Sequence, residues 1–319
     1  MIKYAIIGAG WRSEFYLKIA ALLPNEFSVS GIYIRNSEKQ KEFAKKYNVK
    51  ICGTLDGLLK TDFDFIVSCV NKDGISDMIK TLTALDIPVL TETPVTDGTL
   101  GGRVQVAEQF HFMPRNQAYK KIIDSGILGE VHSVRLSCCH DYHAASLIRF
   151  FLDTGFEKPE ITSISLIDPV TRYNSRAGYI TPAVIKEEEK IKIFKFKDKT
   201  AVYDFSFEQY FSDIRSSQIN IRGTNGEIVN NTCSYLKDGV PQRFEIYRNT
   251  YGVEESLDGM CLFNITGGGE VLYTNPFPLA RLSDEEIAIA TCLVKMKAYI
   301  KTGEAFYSLK DAEFDCAII

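Results

Sequence analysis

The chain has 319 residues, 45% of them hydrophobic and 24% charged, with a formal net charge of −4. That length supplies material for two cores, because single domains usually run to roughly 100–200 residues. The mild acidity offers no basic field to neutralise phosphates, which argues against nonspecific nucleic-acid binding, and no run of about 18 consecutive apolar residues is present to cross a membrane as a helix.

The first element is a short apolar strand, Ile2 to Ile7, that runs into the turn Gly8-Ala9-Gly10 and then into a helical pattern from Glu14 to Leu23. Strand, glycine turn and helix in that order open a dinucleotide-binding unit. Gly8 suits a tight turn. Gly10, lacking a side chain, lets backbone N–H groups and the helix N-terminus approach a pyrophosphate. Ser13 stands at the third glycine position and is small enough for close helix packing. Taken alone, the pattern fits a plain structural turn equally well. The next segments supply context: a strand over 29–34, a helix from Ser37 with Gln40 at capping-box spacing, a strand over 65–70, a helix over 77–85 and a strand over 87–91. Such alternation predicts a doubly wound parallel sheet whose ligand crevice lies at the carboxyl ends of the strands.

Beyond about residue 118 the organisation changes. One helix over 118–125 ends at Gly126, and strand-like runs punctuated by Gly, Asn and Asp then predict an antiparallel sheet. Lysines in 190–199 alternate with Ile191, Ile193 and Phe196, the pattern of a strand with a solvated lysine face. Tyr203, Phe205 and Phe207 alternate with Asp204, Ser206 and Glu208, so the aromatic stretch 205–211 reads as a sheet face rather than a ligand box. Asn225-Gly226 between 219–221 and 227–229 signals a hairpin. A helix over 283–300 follows, with Ser283 and Glu286 at capping-box spacing and Gly303 past its end. The expected organisation is an α/β Rossmann domain over 1–118 and, over 119–319, an α+β domain built on a large, mainly antiparallel sheet.

Eight cysteines show no C-x-x-C spacing and read as reduced thiols, and the N-terminal apolar run is too short for a secretory core, so a cytoplasmic setting is expected. Cys138, Cys139, His140 and His143 have metal-ligand chemistry, but adjacent residues of an extended segment point oppositely, and no metal is expected.

Several pieces now stand in order: Gly8-Ala9-Gly10, the strand ending in Glu92-Thr93-Pro94, the stretches 106–114 and 122–131, His143 with Leu147-Ile148-Arg149, and the stretch 222–228. Together they resemble the Gfo/Idh/MocA oxidoreductases, the family that includes glucose-fructose oxidoreductase and inositol dehydrogenase, and the resemblance covers nearly the whole chain. It implies a nicotinamide dinucleotide held around Gly8, Gly10, Trp11, Arg12, Arg35, Asn36, Val70, Asn71 and Glu92. It also implies a C-terminal sheet that supplies the substrate wall and an oligomer interface, in a homodimer or homotetramer. Cofactor choice rests on the end of the second strand, where a carboxylate accepts hydrogen bonds from an NAD ribose and an arginine with small polar neighbours favours a 2′-phosphate. The family's acid falls at Ile34, followed by Arg35-Asn36-Ser37, so NADP(H) is expected over NAD(H). Arg35 as a solvated loop residue is the alternative.

In the family a lysine follows the glutamate, and an Asp-x-x-x-His pair on the second domain assists proton transfer. Here Thr93 stands at the lysine position, and with His143 at the histidine position Cys139 replaces the aspartate. Threonine donates a hydrogen bond but carries no charge to stabilise an alkoxide. His143 is therefore the expected acid/base, since a free imidazole titrates near about 6.5, with Tyr142 and Asp141 as neighbours to orient it. His111 reads equally as a cofactor contact or a packed junction residue, and His132 as structural. The expected activity is hydride transfer between a nicotinamide cofactor and a sugar, polyol or related hydroxy compound. The alternative, kept open by Thr93, is a catalytically degenerate dinucleotide-binding sensor or regulatory protein.

Overall fold

A computed structural model describes residues 1–253 and 256–319, the side chain of Asp258 excepted. The chain forms two compact units: 1–114, 250–263 and 274–317 make the first, and 115–249, 264–273 and 318–319 the second.

In the first unit, β1 (Ile2–Ile7), α1 (Trp11–Leu22), β2 (Phe27–Tyr33), α2 (Ser37–Lys46), β3 (Ile51–Cys52), α3 (Leu55–Leu59), β4 (Phe65–Ser68), α4 (Ile75–Thr83), β5 (Val89–Thr91) and β6 (Val104–Val106) alternate as expected. The six strands pair in parallel in the order β3-β2-β1-β4-β5-β6, so the topology switches between β1 and β4. Parallel strands covered on both faces read as continuous apolar runs, and Tyr4, Ala5, Ile6, Phe65, Ile66 and Val67 are all fully buried. Gly8 turns the chain at φ +111, with its α-carbon so close to β4 that a Cβ would stand 2.4 Å from the Cys69 carbonyl oxygen. At α2 the cap lies one residue earlier than the Ser37–Gln40 spacing suggests. Asn36 accepts hydrogen bonds from the N–H groups of Glu38 and Lys39, and Gln40 instead donates to the Ile34 carbonyl.

The second unit starts with α5 (Pro114–Asp124), which begins at a proline that suits the first helical position and so starts before residue 118. It continues through β7 (Val131–Ser137), α6 (Asp141–Leu152), β8 (Glu160–Ser175), β9 (Gly178–Lys195), β10 (Thr200–Ser206), β11 (Gln218–Gly223), β12 (Gly226–Val229), β13 (Thr232–Lys237) and β14 (Val240–Glu245). These strands form an eight-stranded sheet in the order β14-β13-β12-β11-β7-β10-β9-β8, antiparallel except where β10 joins β7. The hairpin at Asn225-Gly226 is present, with Arg222 opposite Glu227. A small sheet of β15 (Tyr247–Thr250), β16 (Leu262–Gly267) and β17 (Glu270–Thr274) follows.

The last helices, α7 (Asp284–Thr302) and α8 (Leu309–Ala317), belong to the first unit, so the division is not a single cut near residue 118. Packing is the reason: Tyr307, Leu309 and Ala312 join the core of Ala5, Ile7, Ile66 and Val106, and Lys297 on α7 pairs with Asp64. Ser283 and Glu286 form the anticipated capping box, and Gly303 ends α7 at φ +74.

Three local expectations are corrected. Lys192 faces Tyr203 and Lys190 faces Phe205 across β9 and β10, so the lysines share the face of the buried Phe194, Tyr203 and Phe205 while Ile193 turns outward, 47% exposed. Register follows the buried aromatics, and lysine stems tolerate cover while their heads stay wet. The period of two stops at Ser206, because Phe207–Tyr210 form a 3-10 turn. Cys138 to His140 do not continue an extended segment but turn the chain from β7 into α6.

Gly8→Ala is expected to lower the unfolding free energy by more than about 2 kcal/mol, through strain at positive φ and the clash with Cys69. Urea titration reads it; a change within about 0.5 kcal/mol would show that the turn accommodates a Cβ.

Candidate functional site

At the carboxyl end of β1, Gly10 is the N-cap of α1, with extended backbone and no side-chain cap. A Cβ there would meet nothing within 4 Å, so the space over the first amides of α1 is open. Unsatisfied N–H groups and the positive end of the helix dipole make that space receptive to an anion. Ser13 is buried and donates through its hydroxyl to the Gly10 carbonyl at 2.6 Å, holding the turn closed from behind. The hydroxyl of Ser68, at the end of β4, is buried without a hydrogen-bond partner. These features fit the pyrophosphate and ribose of a dinucleotide.

Around this turn, Ile34 is buried and points inward as core. Arg35 and Asn36 follow, both exposed. Asn36 commits its side-chain oxygen to capping α2. Lys39 places its ammonium 3.4 Å from the Ala9 carbonyl, a second cation at the turn that the sequence reading missed. Its signal was its place in the first turn of the helix after the ribose-binding strand. Val70 is half-buried, and Asn71 precedes the short turn Lys72–Gly74.

Trp11 and Arg12 behave differently from each other. Trp11 is 45% exposed beside the turn, whereas Arg12 folds inward with its guanidinium 4.7 Å from the Trp11 ring centre. Arg12 Nε meets Glu92 Oε2 at 2.9 Å and its Nη1 meets Glu285 Oε1 at 2.7 Å. Tyr16 completes the group, its hydroxyl donating to Glu92 Oε1 at 2.5 Å. Burial pushes the Glu92 carboxyl up, while Arg12 and the Tyr16 hydroxyl pull it back. Arg12 is thus a clamp on Glu92. Neither Tyr16 nor Glu285 was legible as its partner. Thr93 follows Glu92, half-buried, before a cis peptide to Pro94.

In the second unit, the turn from β7 into α6 gathers the other expected residues. His143 is buried, its ring centroid 5.0 Å from that of His140 and 4.4 Å from that of Tyr142. His140 Nδ1 stands 2.7 Å from the Tyr210 hydroxyl and its Nε2 3.4 Å from the Tyr142 hydroxyl. The Asp141 N–H donates to the Tyr203 hydroxyl at 3.1 Å, and its carboxylate lies 3.6 Å from the Lys190 ammonium. Burial pushes the Tyr203 and Tyr210 phenols well up, so both remain protonated. Cys139 is fully buried. The contact of His140 with Tyr210 was missed because the two lie 70 residues apart. His111 packs edge-on against Tyr307, and His132 is exposed on β7. Among the described residues no group of three or more His, Cys, Asp or Glu is arranged to hold a metal ion.

Residues 2–111 match the family model described as the oxidoreductase family with an NAD-binding Rossmann fold. Over these residues the chain is similar to the Gfo/Idh/MocA oxidoreductases. The L-aspartate dehydrogenase of Methanococcus maripaludis strain C7 is 25% identical over 203 residues, 60% of this chain and 72% of that one. Solved members of the fold cover both units. An oxidoreductase from Agrobacterium radiobacter, in complex with NAD+, L-tartaric acid and magnesium, superposes with a TM-score of 0.66 at 14% identity over 99% of this chain and 94% of that one. A levoglucosan dehydrogenase with NADH and levoglucosan gives 0.67 at 14% identity, over 99% and 95% of the two chains. At these identities the structures establish a shared fold.

Arg12→Met leaves the buried Glu92 without its cation. The expected cost is about 3–5 kcal/mol in urea unfolding. Arg12→Met/Glu92→Leu should cost less than the sum of the single changes, and additive costs would show that the two residues act independently.

Proposed function

We propose that the protein is an oxidoreductase that prefers NADP(H) and transfers a hydride between the nicotinamide and a hydroxyl-bearing carbon of a sugar, polyol or related hydroxy compound. The observation that carries this reading is the open, uncapped N-terminus of α1 beyond Gly10, in a domain of an NAD-binding family. When bound, the cofactor accepts or supplies the hydride. Gly8 and Gly10 shape its cradle, the first amides of α1 beside Trp11 hold the pyrophosphate, and Val70, Asn71 and Glu92 border the strand ends. Arg35 and Lys39 supply two cations, and the end of β2 carries the buried Ile34 instead of a carboxylate, which suits a 2′-phosphate better than a bare ribose diol.

His143 holds the hydroxyl proton as the hydride leaves and returns it in the reverse direction. Tyr142 packs on its ring and orients it. Thr93 donates a hydrogen bond to the reacting oxygen. The free thiols suit a cytoplasmic setting. Strand β8 lies at the sheet edge with Ile161, Ile164, Leu166 and Ile167 exposed, and such an edge calls for a partner. A second copy of the chain fills that role in a homodimer or homotetramer. The neutral Thr93 favours one other reading, a dinucleotide-binding sensor without turnover.

Thermal shift with NADPH and NADH tests the cofactor. NADPH is expected to stabilise more, and Arg35→Ala should erase the difference; equal shifts in the parent protein would remove the NADP(H) preference. Turnover is followed by nicotinamide absorbance against sugars, polyols, hydroxy acids and L-aspartate. His143→Ala is expected to lower kcat by about 10²–10⁴-fold. A parent protein that binds cofactor yet is silent on the whole panel, with activity gained in Thr93→Lys, would establish the sensor. By light scattering, Ile164→Lys and Ile167→Lys together should shift the protein towards monomer; an unchanged mass would place the interface elsewhere.

A further inference from the structure

Resting on the oxidoreductase reading, we propose that the site takes a substrate bearing a carboxylate, a uronic or aldonic acid, and that Lys192 is its receptor. The argument starts from register. Lys190 and Lys192 lie opposite Phe205 and Tyr203 on one face of the sheet, whereas Glu189 and Asp204, opposite Ser206 and Ile191, lie on the other. The exposed Glu188 shares the face of Lys190 and Lys192, and this is the face on which the start of α6 rests, through the Asp141 N–H and the Tyr203 hydroxyl.

Within ion-pair reach of these two lysines, charge does not balance. Asp141, the one carboxylate within ion-pair reach of the two ammonium groups among the described residues, lies 3.6 Å from Lys190, and Lys192 has no ion-pair partner. Tyr203 and Tyr210 remain neutral, their phenols held protonated by burial. Burial lowers the Lys192 pKa below the usual lysine range, Asp141 opposes this, and Lys190 adds to it. A half-covered cation that is disfavoured by its surroundings gains most from an incoming anion. Asp141 itself sits at φ +37, an uncommon conformation for a residue other than glycine. Phe207, 50% exposed and in ring contact with His140 and Tyr210, offers a flat apolar surface to a sugar ring beside these polar groups.

A charge-assisted hydrogen bond on Lys192 sets the size of the effect at about 10–100-fold in affinity. The test is calorimetric titration of the full chain in saturating NADPH with matched pairs, D-glucuronate against D-glucose and D-gluconate against sorbitol. At least one acid is expected to bind about 10–100-fold more tightly than its neutral partner. Lys192→Met should abolish the preference and Lys192→Arg should keep most of it, each variant being checked for an unchanged melting temperature. Equal affinities within both pairs, absence of binding by both acids, or a preference that survives Lys192→Met would each overturn the proposal. Failure of the oxidoreductase reading looks different: the acid preference and its loss in Lys192→Met persist while no compound is turned over. Turnover of neutral sugars with no preference for acids leaves the enzyme standing and removes the receptor.

Discussion

The ion pair of Arg12 with Glu92 is the constraint on which the nucleotide-binding unit depends. Its cation comes from the first turn of α1, where the helix dipole disfavours positive charge, so the arginine is stable there only because carboxylates meet it. One carboxylate stands at the end of β5 and the other at the start of α7, so a single guanidinium ties together three elements far apart in sequence. With Arg12 drawn inward, the surface over Gly10 stays open. Glu92, fixed by Arg12 and Tyr16, sets where the chain leaves β5 and hence where Thr93 begins.

The second unit works on a different principle. Its polar groups gather in a ring cluster of His140, Tyr142, His143 and Tyr210 at the turn from β7 into α6, where burial keeps the phenols protonated and aromatic contacts hold the imidazoles. Such a cluster orients proton-carrying groups without adding charge. Charge is brought by β9, whose Lys190 and Lys192 share the face of the buried aromatics.

Much of the architecture was legible because it rests on local signals. The glycine turn, the alternation of apolar strands with amphipathic helices, the hairpin at Asn225-Gly226 and the capping box of Ser283 and Glu286 each depend on residues close in sequence, and each is present. The candidate site was legible residue by residue but not as a set. Ile34, Arg35 and His143 could be picked out, whereas Lys39 at the glycine turn and the pairing of His140 with Tyr210 required elements to be brought together.

Short-range stereochemistry and hydrophobic period thus determined the succession of strands and helices, the glycine turn and the identity of the groups able to do chemistry. Tertiary structure alone decided three things. It assigned α7 and α8 to the first unit, turned Lys190 and Lys192 towards the aromatic face, and drew Arg12 inward onto Glu92 and Glu285. In each case the deciding partner lies far along the chain, 273 residues for Arg12 and Glu285. A sequence pattern records what a residue is and how its neighbours repeat, but the face a strand buries and the carboxylate an arginine meets are selected by packing across the fold.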